Sequence, residues 1–277
     1  MQFKSFPGFL LLGLFCLLAV RVSAQGAERI VAARVRGDVS VTIKATNARS
    51  QVIDGTEISQ GSIVTTAKDS SVVLIFSNGA TINLGTESTL DIEQFIQDPF
   101  STPINTATVT EEPSKSTTKL MLTRGELVGK VAKLRKDQGS SFTVGTPVGA
   151  AGIRGTVFRV VYKPDGSGKA FFALTVQVGD VGFAFTGSVN APASVTDNNE
   201  ISGELNVQTD PATGITTVGF PNGQTLPVNP ASAASMEAIS SAVQQLAQTL
   251  FNSANPPAAV PPAPPRSDDV TPLGGRP

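Results

Sequence analysis

Histidine and tryptophan are absent from the 277 residues, tyrosine occurs once, at Tyr162, and cysteine once, at Cys16. Without histidine, serine and cysteine nucleophiles lack their usual base, and zinc loses its commonest nitrogen ligand. Cys16 lies inside an apolar run, FLLLGLFCLLAV (Phe9–Val20), that follows Lys4 and precedes the small residues of VSA (Val22–Ala24). This order is the pattern of a secretory signal peptide over residues 1–24, cut before Gln25. The run is well short of the roughly 20 residues that a spanning helix needs. Phe15 stands before the cysteine, where a lipidation site wants a small residue. The mature chain would then contain no thiol, so it must fold without disulfides. The expected destination is the periplasm or the exterior, with no membrane span after signal cleavage.

Charge of either sign is also scarce. The chain carries 21 Lys+Arg against 22 Asp+Glu; without Lys4 and Arg21 the balance is 19 against 22, a net of −3. A nucleic-acid partner would require a clustered basic surface, and none is expected. The one basic run, KVAKLRK (Lys130–Lys136), reads as a solvated strand or turn. Acidic residues fall at turns and tips: Asp54, Asp69, Asp137, Asp165, Asp180, Asp197 and Asp210. A glycan hydrolase built from carboxylates alone needs two of them flanking one bond, and stays only as a remote alternative. The missing tryptophan removes its usual sugar-stacking platform. No enzyme, cofactor or metal is expected.

What is present is a succession of short, alternating β-forming runs broken by glycine. VSVTI (Val39–Ile43), SVVLIF (Ser71–Phe76) and TINL (Thr81–Leu84) place apolar residues at every second position. Asn78-Gly79 between the last two reads as a hairpin turn with φ > 0 at both positions. KPDGSGK (Lys163–Lys169) reads as a second tip, and ELNVQTDPATGITTVGF predicts a further hairpin about Asp210–Gly214. The stretch 94–118, with Pro99, Pro103 and Pro113, reads as a long surface excursion. Helical periodicity is missing until Asn229-Pro230, which predicts an N-cap and first helical residue. Met236, Ile239, Val243, Leu246 and Leu250 then form one apolar stripe on a helix over 230–253, either docked on the β domain or self-associating as a short coiled coil. Residues 254–277, rich in proline, read as a disordered spacer.

The segment TPVGAAGIRGTVF (146–158) combines Pro147 with Gly149, Gly152 and Gly155. It leads into a β-run, so no helix N-terminus is available to present N–H groups to a phosphate. The structural reading makes Gly152 and Gly155 points of tight bending or close approach, and makes Ile153 a core plug. Arg154 would be a fork of donors for turn carbonyls or a carboxylate.

In order, GDVSV (Gly37–Val41), DGTEISQGSIVTT (Asp54–Thr66), SSVVLIFSNGATINLGTESTL (Ser70–Leu90), GELVGKV (Gly125–Val131) and FTVGTPVGAAGIRGTVFRV (Phe142–Val160) resemble the FecR domain. LTVQVGDVGF (Leu174–Phe183) looks like its closing strand pair. The most specific piece contains Thr146, Pro147, Gly149, Gly152, Ile153, Arg154, Gly155, Thr156 and Phe158. The resemblance covers residues 34–185, with 186–229 as a hairpin and loop extension. It implies an all-β, glycine-punctuated fold of solenoid or roll type, outside the cytoplasmic membrane. Relatives in iron regulation join such a domain through one membrane helix to a cytoplasmic anti-sigma segment. A leading signal peptide departs from that layout. The reading is therefore a non-catalytic binding, scaffolding or sensory module of the envelope, whose partner is another envelope protein or polymer. The alternative is a membrane-anchored signalling subunit.

Overall fold

The computed structural model describes residues 28–100, 109–186, 193–214, 216–219 and 228–254, the side chains of 244 and 246–254 excepted. The expected signal peptide and proline-rich tail lie outside the described residues, apart from the backbone of Ala254. The described residues are mostly β-strand with a single C-terminal α-helix, and the sheet is not closed.

Two layers form. The first sheet runs, in spatial order, β4 (Glu57–Ile58), β1 (Ile30–Arg36), β6 (Ser71–Phe76), β7 (Thr81–Leu84), the second half of β9 (Ser116–Lys130), β12 (Val157–Pro164), β13 (Lys169–Val178) and β16 (Asn199–Thr209). Beside β16 lie β17 (Thr216–Gly219) and β18 (Val228–Pro230). The second runs β3 (Ala48–Gln51), β2 (Val39–Ile43), β5 (Ser62–Thr66), β8 (Thr89–Gln97), the first half of β9, β10 (Ser141–Thr146), β11 (Gly149–Ile153), β14 (Asp180–Phe185) and β15 (Ala193–Thr196). Among the described residues every strand pair is antiparallel except β9–β10.

The sequence alternation places the core between the layers. Val72, Leu74, Phe76, Ile82 and Leu84 of the first sheet face Leu90, Ile92, Phe142 and Val144 of the second, and all are essentially inaccessible. Phe76 meets Phe95 edge-on at a centroid distance of 5.2 Å, and Phe172 lies 4.7 Å from Phe183 across the same gap. Burying one such ring removes enough apolar surface to contribute about 1.5–3 kcal/mol.

β9 belongs to both layers, and its inward parity reverses on the way. Thr118, Leu120 and Leu122 point inward at even positions, whereas Leu127 and Gly129 do so at odd ones. A one-residue slip exchanges the faces of a strand. Here the slip is a bulge against β8, where Thr89 pairs with Arg124 but Leu90 pairs with Leu122. Gly125 follows with φ +101°, and a Cβ there would lie 2.0 Å from Ser88 Oγ and 2.5 Å from its Cα.

Several local expectations are corrected. Only Gly79 of the Asn78-Gly79 pair takes φ > 0; the Asn78 side chain instead accepts the Ala80 N–H, so the loop is wider than two residues. The surface excursion is shorter than 94–118, because β8 continues to Gln97 and β9 begins at Ser116. Within it Glu112 is buried, its carboxylate accepting the Ser116 hydroxyl at 2.6 Å and the Arg135 N–H at 2.6 Å. Asn229 and Pro230 end β18, at the sheet edge where a missing N–H is tolerated. The helix, α1 (Ala233–Ala254), is capped instead by Ser232, whose Oγ accepts the Ser235 N–H at 3.2 Å.

Gly125→Ala is expected to destabilise the protein by at least about 2 kcal/mol, from left-handed backbone strain and the clash with Ser88. Urea unfolding of the purified protein checks this.

Candidate functional site

The 146–158 segment forms a corner that carries the chain from the second sheet to the first. β10 and β11 make a hairpin across Pro147-Val148, with the Thr146 hydroxyl donating to the Gly149 carbonyl at 3.0 Å. Val148 and Ile153 are buried, and Phe158 is fully enclosed on the first sheet, its ring 2.6 Å from where a Gly129 Cβ would stand. Gly149 is required by close approach, since a Cβ would come within 2.4 Å of the Ala184 carbonyl oxygen. Gly155 makes the turn with φ +69° and packs against Lys133, whose Cα would be 3.2 Å from an added Cβ. Thr156 is buried behind it, and its methyl would lie 2.5 Å from a Cβ on Gly179.

Two members of this motif depart from expectation. Gly152 lies on the outer face opposite Gly182, where an added Cβ would find only a carbonyl oxygen at 3.9 Å, so no close approach requires it. Arg154 is exposed and makes no hydrogen bond or ion pair among the described residues, because the corner leaves it pointing out of the packed turn. Its electrostatic neighbour is Lys136, in the 3-10 turn Lys136–Gln138. Partial desolvation holds the Lys136 ammonium below its ordinary pKa, the like charge of Arg154 adds to this, and Asp180 opposes it. Arg135, by contrast, is taken up by Glu112, donating from Nε to its carbonyl at 3.0 Å.

A second polar constellation was not legible in sequence. On the outer face of the first sheet, cross-strand pairing aligns Val73, Asn83, Val128, Arg159, Thr175 and Glu200 in one row. Glu200 Oε2 accepts hydroxyl hydrogen bonds from Thr175 at 2.7 Å and from Ser235 of α1 at 2.8 Å. Arg159 reaches Ser235 Oγ at 3.3 Å and pairs with both oxygens of Glu126, at 2.8 and 3.3 Å. Burial by itself would raise the Glu200 pKa. The hydroxyls of Thr175, Ser202 and Ser235 and the charge of Arg159 outweigh it and hold the carboxyl below its ordinary 4.5. These groups clamp the first turn of α1 to the sheet. Farther along the stripe Ile239 is fully buried and Met236 and Val243 are half-buried; the side chains of Leu246 and Leu250 lie outside the described residues. The one available sequence signal was Ser232, a preferred capping residue three positions before Ser235.

Comparison with known proteins places the corner. Residues 62–181 match the family model described as FecR protein, and this part of the chain is a FecR domain. Two crystal structures of a candidate anti-sigma factor from Parabacteroides distasonis ATCC 8503, at 1.65 and 2.50 Å resolution, are similar to the chain. Their identities are 14% and 15% and their TM-scores 0.39 and 0.38, over 69% of this chain and 74% of each of theirs. No curated protein matches.

Arg154→Ala and Gly152→Ala are each expected to change stability by less than about 0.5 kcal/mol, whereas Gly155→Ala costs about 1–2 kcal/mol for its left-handed backbone. Thermal melts of the three variants distinguish the motif's structural positions from its exposed ones. Because the Glu200 pKa is lowered on folding, its contribution is fully present above 4.5 and is lost as pH falls through the folded-state value. The stability difference between wild type and Glu200→Gln should therefore shrink as pH drops below about 4.5. A difference that does not change between pH 7 and pH 3 in urea titrations would contradict this.

Proposed function

We propose that the protein is a non-catalytic FecR-domain module of the bacterial cell envelope, acting in signal transduction by binding or sensing another envelope component. The observation that carries this reading is the FecR domain at residues 62–181, the domain of a family of regulators. The inventory of side chains agrees with it: without histidine, and without cysteine once residues 1–24 are removed, recognition is a more economical role than covalent chemistry. In this reading the two-layer β fold is of roll type, residues 1–24 direct export, and the mature chain works in the periplasm or outside the cell. The partner is an envelope protein or polymer. The exposed Arg154, beside Lys136 and not consumed by the fold, is available for contact.

The alternative is a membrane-anchored signalling subunit that keeps its N-terminal apolar segment. No helix among the described residues is long and apolar enough to cross a membrane, and residues 1–27 are not among them. Self-association through α1 would have to use the part of the stripe beyond Ile239, which is already seated on the sheet.

Cell fractionation with sequencing of the mature N-terminus tests the reading. The expected species is soluble in the envelope fraction and begins at Gln25. A membrane-bound species beginning at Met1 would overturn the free module and select the anchored subunit.

A further inference from the structure

The basic run Lys130–Lys136, which by sequence reads as a solvated strand or turn, has its backbone engaged on both sides. On one side the Val131 N–H donates to the Thr156 carbonyl at 3.0 Å, so the run lies against the 146–158 corner. On the other, the Lys133 N–H donates to the Thr110 carbonyl at 2.9 Å and the Glu112 N–H donates to the Lys133 carbonyl at 3.0 Å. The buried Glu112 carboxylate then holds the Arg135 N–H. Val131, Ala132 and Leu134 are buried, and Lys133 and Lys136 are exposed. The run is therefore a seam of fixed backbone that turns apolar residues inward and cations outward.

Two other segments add cations to this seam. Gly155 packs against the Lys133 Cα, which brings the exposed Arg154 alongside, and the Arg154 charge is felt at Lys136. At the far end of the 3-10 turn, the Lys115 Nζ lies 3.8 Å from where a Gly139 Cβ would stand. Lys115, Lys133, Lys136 and Arg154 are all exposed, and none makes a side-chain hydrogen bond or ion pair among the described residues. The nearby carboxylates are mostly occupied. Glu112 is taken by Ser116 and the Arg135 N–H, and Glu111 lies 3.9 Å from Arg135 Nε. Asp180, which accepts the Ser194 hydroxyl, and Asp137 remain to oppose the four cations. The corner thus carries a positive excess on a chain whose formal net charge is −1. Like charges held at one corner repel, and an anion placed among them turns that repulsion into attraction.

We propose that Lys115, Lys133, Lys136 and Arg154 form a polyanion-binding surface of the FecR domain, and that its ligand is an envelope polymer carrying phosphate groups. This rests on the binding role proposed above and names the chemistry of the partner. All four residues lie inside the matched segment 62–181. Arg154 offers a planar fork to two oxygens of one phosphate, and the lysines offer point charges to others. The cations are spread along the seam, from Lys133 beside Gly155 to Lys115 beside Gly139. The 3-10 turn alone separates Lys136 from Gly139 by about 6 Å, at roughly 2 Å per residue. One phosphate cannot meet cations so spaced, and a chain of phosphates can. A protein partner would call for a desolvated apolar or aromatic centre. Of the exposed large apolar residues, only Val178, opposite Val157, adjoins the corner.

The test uses the protein as purified from cells, with linear inorganic polyphosphate as probe and inorganic phosphate and phosphatidylglycerol vesicles as comparators. Calorimetric titration should show polyphosphate binding to wild type that weakens at least about tenfold as salt rises from about 20 to about 200 mM. The double variant Arg154→Ala, Lys136→Ala should bind at least about tenfold more weakly at low salt and with a shallower salt dependence, at an unchanged melting temperature. Lys163→Ala with Lys169→Ala removes as much charge from the tip between β12 and β13, and should bind within about twofold of wild type. Equal losses in the two double variants, or no binding to wild type, would overturn the site. Inorganic phosphate binding as tightly as polyphosphate would overturn the polymer in favour of a single-anion site. Vesicle binding without polyphosphate binding would overturn it in favour of a membrane surface. These affinities do not depend on where the mature N-terminus falls, so failure here and failure of the envelope reading can be told apart.

Discussion

The whole arrangement depends on one strand serving two sheets. β9 hydrogen-bonds to β8 and β10 in one layer and to β7 and β12 in the other, so the layers are covalently registered to each other at its bend. The bend must exchange the inward and outward faces of the strand within two residues, or Leu122 and Leu127 could not both reach the core. A bulge supplies the extra residue and Gly125 supplies the backbone conformation, with Ser88 packed where a side chain would go. Ser88 in turn donates to the Glu126 carbonyl and accepts its own contacts from that loop, so the crossing is closed from both sides. The interior aromatic contacts, Phe76 with Phe95 and Phe172 with Phe183, all span the gap that this crossing holds at its working width.

The family motif is another crossing between the same two layers, from β11 to β12. Its buried members, Thr146, Ile153, Thr156 and Phe158, fasten the corner, and Gly155 permits it. Arg154 is then left outward by geometry: with Ile153 and Thr156 both inside and Gly155 turning, the intervening side chain has only solvent to enter. The motif thus contains two positions, Gly152 and Arg154, that the packing of the corner among the described residues does not require.

The outer face of the first sheet places a different demand. Its row of Val128, Arg159, Thr175 and Glu200 mixes apolar and charged groups that could not remain buried without partners. Ser235, the pairing of Arg159 with Glu126 and the hydroxyl of Thr175 provide them. The same groups that make the face tolerable under α1 also give it a direction, since the carboxylate end accepts the hydroxyl-bearing start of a helix.

The β class, the main hairpins and the interior core were legible in the sequence, because alternation is a local property: every second residue of SVVLIF or TINL faces the same side whatever the rest of the chain does. The corner at 146–158 was legible for the same reason, in that its glycines, proline and β-run are neighbours in sequence. Alternation says nothing about which of two sheets a strand joins, so the double membership of β9 and the reversal at Gly125 appear only in three dimensions. Val73, Val128 and Val161 interrupt the alternation, and alternation alone does not say what covers them. Asn229-Pro230 met every local criterion for starting that helix, yet pairing with Asn199 and Glu200 drew both residues into β18 and left the cap to Ser232. The sequence by itself determined the strands and what they bury between them. Tertiary structure decided the partnership of Glu200, Arg159 and Ser235, because hydrogen bonds between residues so far apart in sequence exist only once the strands and the helix that carry them have been brought together.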